Sequence, residues 1–206
     1  MTITYELKGN LYINLTNRCP NRCDFCLRTR GDSVGHQDSL WLEREPTKEE
    51  AWEDISKRDL LQYPQIVFCG YGEPTCRLDD MLWICQKLRE AGISNIRLNT
   101  NGLSDLINGR NTAPEFDGLF DMVSVSLNAP SPERYDEICH SKFGLDALPA
   151  ILKFTTNVGL YVPTVFMTVV DKDLTPEEIA QCEELCNHTG ARFRVRKFIA
   201  DNVAYR

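Results

Sequence analysis

Three segments of this 206-residue chain repeat one pattern: a helix-like run, a glycine, then a strand-like run. They are MLWICQKLREAGISNIRLNT from residue 81, ILKFTTNVGLYVPTVFMTVV from 151 and IAQCEELCNHTGARFRVRKF from 179. No other feature constrains the fold as tightly, because strands joined by helical crossovers form a parallel sheet. Gly92, Gly159 and Gly190 stand where a helix C-terminus turns through positive φ. Thr47 with Glu50, and Thr175 with Glu178, read as capping boxes. Pro132 and Pro176 follow Ser131 and Thr175 at first helical positions, where the missing N–H costs nothing.

The pattern predicts six strands, near 11–16, 65–69, 95–100, 122–128, 161–170 and 191–198. Helices are expected near 47–61, 78–91, 132–139, 145–157 and 176–188. A complete eight-unit barrel typically takes ~250 residues. The expected fold is therefore α/β: an open partial (β/α)6 barrel, one domain over 1–206, with a long loop at about 17–45 after strand one. The rival is a flat, doubly wound sheet. Strand patterning separates the two. Ser124, Ser126 and Asn128 oppose Val123, Val125 and Leu127; Tyr12, Asn14 and Thr16 oppose Leu11, Ile13 and Leu15; Arg97, Asn99 and Asn101 oppose Ile96, Leu98 and Thr100. A flat α/β sheet buries both faces and reads apolar throughout. One polar face suggests a lumen that holds a polar guest.

The polar clusters gather at the carboxyl ends of the strands, where parallel α/β folds build their sites. After strand one comes NRCPNRCDFCLR, residues 17–28, with Cys19, Cys23 and Cys26 in a C-x3-C-x2-C spacing. GYGEPT, NTNG and SLNAP follow the next three strands. A net charge of −7 argues against a general nucleic-acid surface. The N-terminal MTITYELKGNLYINL has no basic stretch leading into an apolar run, so no signal peptide is expected; nor does any stretch reach a membrane span. A cytoplasmic protein keeps its thiols reduced, so nine cysteines read as metal ligands or core filler before disulfides. Three thiolates at this spacing suit a cubane iron–sulfur cluster, which normally takes four; with three, one iron stays open. Gly70 and Gly72 let backbone approach a ligand, and Glu73 can accept from an ammonium group.

With these motifs in place the chain resembles the radical S-adenosylmethionine (radical SAM) superfamily. The resemblance rests on Cys19-Pro-Asn-Arg-Cys23-Asp-Phe25-Cys26, on Gly70-Tyr71-Gly72-Glu73-Pro74, and on the strand order that carries them. More narrowly, NLTNRCPNRCDFCLR, WLEREP, VFCGYGEPT, RLNTNG and SVSLNAP resemble the small radical SAM proteins associated with TatD-family nucleases. The resemblance implies a [4Fe-4S] cluster on Cys19, Cys23 and Cys26, with S-adenosylmethionine (SAM) on the open iron. It implies Phe25 beside the adenine, Glu73 and the Gly70–Gly72 backbone on the amine, and Asn99, Ser126 and Asn128 toward the ribose. Tyr71 stands where the family motif more commonly has glycine. It further implies a flavodoxin- or ferredoxin-type reductant, and a functional link to a TatD-family nuclease.

The expected activity is reductive SAM cleavage to a 5′-deoxyadenosyl radical that abstracts hydrogen from an anionic small molecule or a macromolecular substrate. Arg97, Arg194 and Arg196 are the arginines expected to face that substrate, with Phe193 and Val195 packing on the last helix. A solvated edge is the competing account of the β-strand arginines. A non-catalytic iron–sulfur or zinc protein is the alternative class. Within the enzyme class, glycyl-radical activating enzymes and 7-carboxy-7-deazaguanine synthase-like enzymes are neighbours. Cys85, Cys182 and Cys186 fall on apolar helical stripes and read as core filler. Cys69 and Cys76 flank the glycine motif. His36, His140 and His188 are isolated, and Trp41 with Leu42 forms either a lid or a packed anchor.

Overall fold

The computed structural model describes residues 1–33 and 38–198. The strands are β1 (Thr4–Leu7), β2 (Asn10–Ile13), β3 (Ile66–Phe68), β4 (Ile96–Thr100), β5 (Met122–Ser126), β6 (Thr164–Val170) and β7 (Arg192–Arg196). The helices are α1 (Lys48–Ser56), α2 (Leu78–Glu90), α3 (Ser104–Asn108), α4 (Pro132–Cys139), α5 (Ala147–Val158) and α6 (Pro176–Thr189). One sheet holds all seven strands in the order β1-β2-β3-β4-β5-β6-β7. From β2 to β7 every pairing is parallel. The order never reverses among the described residues, so they contain no doubly wound switch point. Among the described residues β7 pairs with β6 alone, which leaves the barrel open on that side.

The six parallel strands and five of the helices stand where the pattern puts them. The sequence reading missed α3 and β1. β1 pairs antiparallel with β2 across a tight turn at Lys8 and Gly9, both at positive φ (51° and 76°). That is the backbone a two-residue hairpin requires. Both capping boxes form, and both prolines lie in the first turn of their helices. Gly92 and Gly190 turn at φ 84° and 77° as expected. Gly159 does not: its φ is −63°. The chain there keeps winding, with Leu160 and Val162 N–H donating to Asn157 and Val158 carbonyls, so no left-handed residue is needed.

The helices cover the apolar strand face. Leu11, Phe68, Leu98, Val125 and Met167 are sealed against Met81, Ile84, Leu88 and Ile151. Phe68, Phe120, Phe116 and Phe154 form a chain of tilted ring contacts through this layer. Cys85, Cys182 and Cys186 are fully buried within it, as core filler. Phe193 packs on the same core, but Val195, expected to pack with it, stays 44% exposed on β7, the open edge. No helix among the described residues is long and apolar enough to cross a membrane.

Candidate functional site

A cavity of about 440 Å³ opens at the carboxyl ends of the strands. Phe25, Gly70, Tyr71, Asn99 and Ser126 line it, as does Cys26 of the cysteine loop. Arg28, Arg97, Arg196 and Lys197 also line it, and among the described residues no acidic side chain does. Arg97 is partly buried and donates to Asn99 Oδ1 at 2.7 Å. Burial pushes its guanidinium pKa down, and Arg194 and Arg196 add to that, against Tyr12 and Cys69, which hold it up. Among the described residues no carboxylate pairs with it. Arg194, expected at the site, is not in the cavity wall; its guanidinium lies 4.2 Å from the Phe166 ring centre.

Gly72, Glu73 and Asn128 also lie outside the wall, and their geometry explains why. The glycines admit this chain's own first loop. A Cβ on Gly70 would stand 2.0 Å from Asn14 Oδ1; one on Gly72 would stand 2.3 Å from Thr16 O and 2.7 Å from Arg18 O. Glu73 N–H then donates to Arg18 O at 2.8 Å, locking the glycine loop to the base of the cysteine loop. The Glu73 carboxylate is buried and already engaged. One oxygen accepts from Thr75 N–H (3.1 Å), Thr75 Oγ1 (2.8 Å) and Thr100 Oγ1 (2.7 Å); the other accepts from Asn101 N–H (2.7 Å). Burial raises its pKa, and these donors only partly offset that. Glu73 thus ties the ends of β3 and β4 together.

Glu45, in the WLEREP stretch, does similar work for the long loop. It accepts from Arg18 Nε at 2.6 Å, from Arg77 at 3.3 Å, and from Thr16 Oγ1. Leu42 is buried and exchanges two hydrogen bonds with Asn17 (2.7 and 3.0 Å), so it is an anchor. Trp41 meets Tyr71 edge-on, ring centres 5.2 Å apart, without lining the cavity. Tyr71 donates to Gly31 O at 2.7 Å, and burial raises its pKa to about 12. The aromatic residue in the glycine motif therefore pins the far side of the cysteine loop.

The three loop cysteines are free thiols, each partly buried. Burial pushes Cys19 up to about 12 and raises Cys26; Cys23 is raised by its hydrogen bond to Cys139 and by burial. Among the described residues no three His, Cys, Asp or Glu side chains converge on one metal position. Ligation would need all three thiols deprotonated. As a donor set they suit an iron–sulfur cluster: three soft sulfurs from one short loop beside a cavity large enough for a ligand. Zinc shared with Cys182 and Cys186 finds no support, since both lie in the core under α6.

Cys69 lines the cavity; Cys76 lies outside it, with its thiol raised to about 12 by burial. His140 Nε2 pairs with Asp24 at 2.9 Å and His188 Nδ1 with Glu184 O at 2.8 Å, which accounts for both as surface groups. His36 lies outside the described residues. Glu45, Arg77 and Cys139 were given no part by sequence reasoning. WLEREP was visible as a motif, but its partners sit about thirty residues away in sequence on both sides.

The family model described as Radical SAM superfamily matches residues 13–186. Among curated relatives, a probable GTP 3′,8-cyclase of Methanothermobacter marburgensis is 29% identical over 189 residues, covering 90% of this chain and 56% of the relative. A GTP 3′,8-cyclase of Corynebacterium glutamicum is 30% identical over 197 residues, covering 92% of this chain and 48% of the relative. The chain thus spans about half the length of the curated relatives it matches. Streptococcus suis SuiB, solved bound to S-adenosylmethionine, shares the fold with a TM-score of 0.66 at 17% identity, over 91% of this chain and 40% of SuiB.

Proposed function

The chain belongs to the radical SAM superfamily, and from that premise we propose that it is an enzyme acting on an anionic substrate held in the 440 Å³ cavity. The family's cofactors are a [4Fe-4S] cluster and SAM, which together supply a 5′-deoxyadenosyl radical for hydrogen abstraction. Cys19, Cys23 and Cys26 would hold the cluster. Phe25, Gly70, Tyr71, Asn99 and Ser126 would bound the SAM side of the cavity, since they line it. Glu73 and Gly72 would act at one remove, by fixing the loops that present those groups.

The observation that carries the substrate class is the wall itself: among the described residues it holds four basic side chains, Arg28, Arg97, Arg196 and Lys197, and no acidic one, in a chain of net charge −7. Arg97 is partly buried and has no carboxylate partner among the described residues; an anionic guest supplies a counter-charge, which arginine can grip bidentately. Two relatives are named as GTP 3′,8-cyclases, so GTP is the first substrate to try. We place the chain with the TatD-associated group on the strength of its motifs, and take the reductant to be of flavodoxin or ferredoxin type.

The test is anaerobic reconstitution. Wild-type protein should take up about four irons per chain, and each single Ala variant at Cys19, Cys23 or Cys26 should take up none. Cys182→Ala should load normally. Reduced, loaded protein should release 5′-deoxyadenosine and methionine from SAM. Loaded protein that never does so would be an electron carrier instead.

A further inference from the structure

One side of the cavity wall is apolar and aromatic. Tyr5, Leu40 and Tyr71 are buried in a small cluster of their own, separate from the main core, with Leu7, Tyr12 and Leu27 packed on it. All six line the cavity. Within this cluster Tyr5 and Tyr12 stack, ring centres 5.1 Å apart and planes 28° from parallel. The Tyr5 hydroxyl donates to Cys69 O at 3.1 Å, which ties the stack to the end of β3. Tyr12 rests on that anchored ring yet is itself only partly buried.

Sheet register brings Tyr12 level with a charge. Tyr5 pairs with Tyr12, Tyr12 with Val67, and Val67 with Arg97, so one row runs across β1, β2, β3 and β4. Tyr12 and Arg97 both stand in the cavity wall. Two strand spacings, about 10 Å, separate their backbones, so one small molecule can touch both side chains. The one side-chain hydrogen bond of Arg97 among the described residues uses Nε, to Asn99, which leaves its terminal nitrogens for a ligand. Neither Tyr12 nor Arg97 is among the residues that would bound SAM. A ring left partly open beside a guanidinium offers stacking and charge to the same guest.

We propose that this row recognises the substrate, and that the substrate is a planar aromatic anion: its ring stacks on Tyr12, and its carboxylate or phosphate meets Arg97. This rests on the reading of the cavity as an anion site. Tyr12 then selects shape and Arg97 selects charge. A flat ring gains more on a tyrosine face than a puckered ring of similar size, because its whole face makes contact.

The experiment is calorimetric titration of anaerobically reconstituted protein saturated with SAM, which keeps the probes off the SAM side. The probes are phenyl phosphate, cyclohexyl phosphate and inorganic phosphate. Wild type binds phenyl phosphate about tenfold tighter than inorganic phosphate, with cyclohexyl phosphate well behind phenyl phosphate. Tyr12→Leu brings phenyl phosphate down to the cyclohexyl level and leaves inorganic phosphate unchanged; Tyr12→Phe keeps the preference. Arg97→Gln weakens all three alike, by roughly tenfold or more. Should Tyr12→Leu fail to fold, the two ring phosphates on wild type decide alone. Equal binding of those two by wild type overturns the proposal. So does an unaltered preference in folded Tyr12→Leu, or unaltered binding in Arg97→Gln. If wild type binds none of the three, the anion reading beneath the proposal falls with it, whereas binding of inorganic phosphate with no gain from the ring overturns this inference alone.

Discussion

Two glutamates at the site carry opposite pH signatures, and both follow from their surroundings. Burial would raise the Glu45 carboxyl, but Arg18, Thr16 and Arg77 outweigh it and hold its pKa below the usual range. Its stabilisation is present above the unfolded-chain value of about 4.3 and is lost as pH falls through the lower folded value. Glu73 is the reverse. Its folded pKa is raised by burial, so the native state binds the proton more tightly. That contribution is full below about pH 4.3 and is lost as pH rises through the folded value. Urea unfolding from pH 3 to 8 checks both. The stability gap between wild type and Glu45→Gln should shrink toward acid, and that between wild type and Glu73→Ala toward alkali. At neutral pH Glu73→Ala should still cost about 2–3 kcal/mol, because it strands buried donors on Thr75, Thr100 and Asn101. GYGEP singled out Glu73 in the sequence. Its hydrogen bonds to Thr100 and Asn101 were not legible there, because these donors come from the end of a strand paired only in the folded sheet.

At the scale of elements, what the sequence made plain was local and periodic. Capping boxes, N-terminal prolines and alternating strand faces depend on residues a few positions apart, and they all form. Gly159 went wrong because nothing local distinguishes a helix that turns left-handed from one that winds on for another turn. The glycine motif is the instructive middle case. Its small residues were singled out for close approach to a ligand; the structure shows that Gly72 also admits the carbonyls of Thr16 and Arg18, while Gly70 lines the cavity. Gly72→Ala should therefore act on the cysteine loop. Backbone carbonyls cannot step aside as a side chain can, so the two loops must part. The expected outcome is a loss of about 1–3 kcal/mol and poor iron uptake on reconstitution, with far-ultraviolet circular dichroism unchanged. Normal iron uptake would show that the cysteine loop does not need the glycine loop beneath it.

At the scale of the molecule, the described residues put one charge sign on the cavity wall and leave the barrel open at β7. Alternation along β4 and β7 predicted that Arg97, Arg194 and Arg196 share the inner face, but periodicity alone cannot say how deep along a strand the cavity reaches. The structure separates the two β7 arginines: Arg196 lines the cavity, whereas Arg194 lies over the Phe166 ring. If the cavity binds an anion, they must behave differently. GTP or inorganic phosphate should raise the melting temperature of the wild-type protein, and added salt should weaken the effect by screening. Arg97→Gln and Arg196→Gln should each remove most of that protection. Loss of a charge-assisted hydrogen bond, typically ~1.5–3 kcal/mol, corresponds to roughly ten- to a hundredfold weaker binding. Arg194→Gln should keep the protection, because its guanidinium is engaged with an aromatic face outside the cavity wall. Equal protection in all three variants would place the anion elsewhere. Loss in Arg194→Gln alone would mean that the anion sits at the open edge of β7, outside the lumen, and the SAM-side cavity would then have to be filled by an uncharged guest.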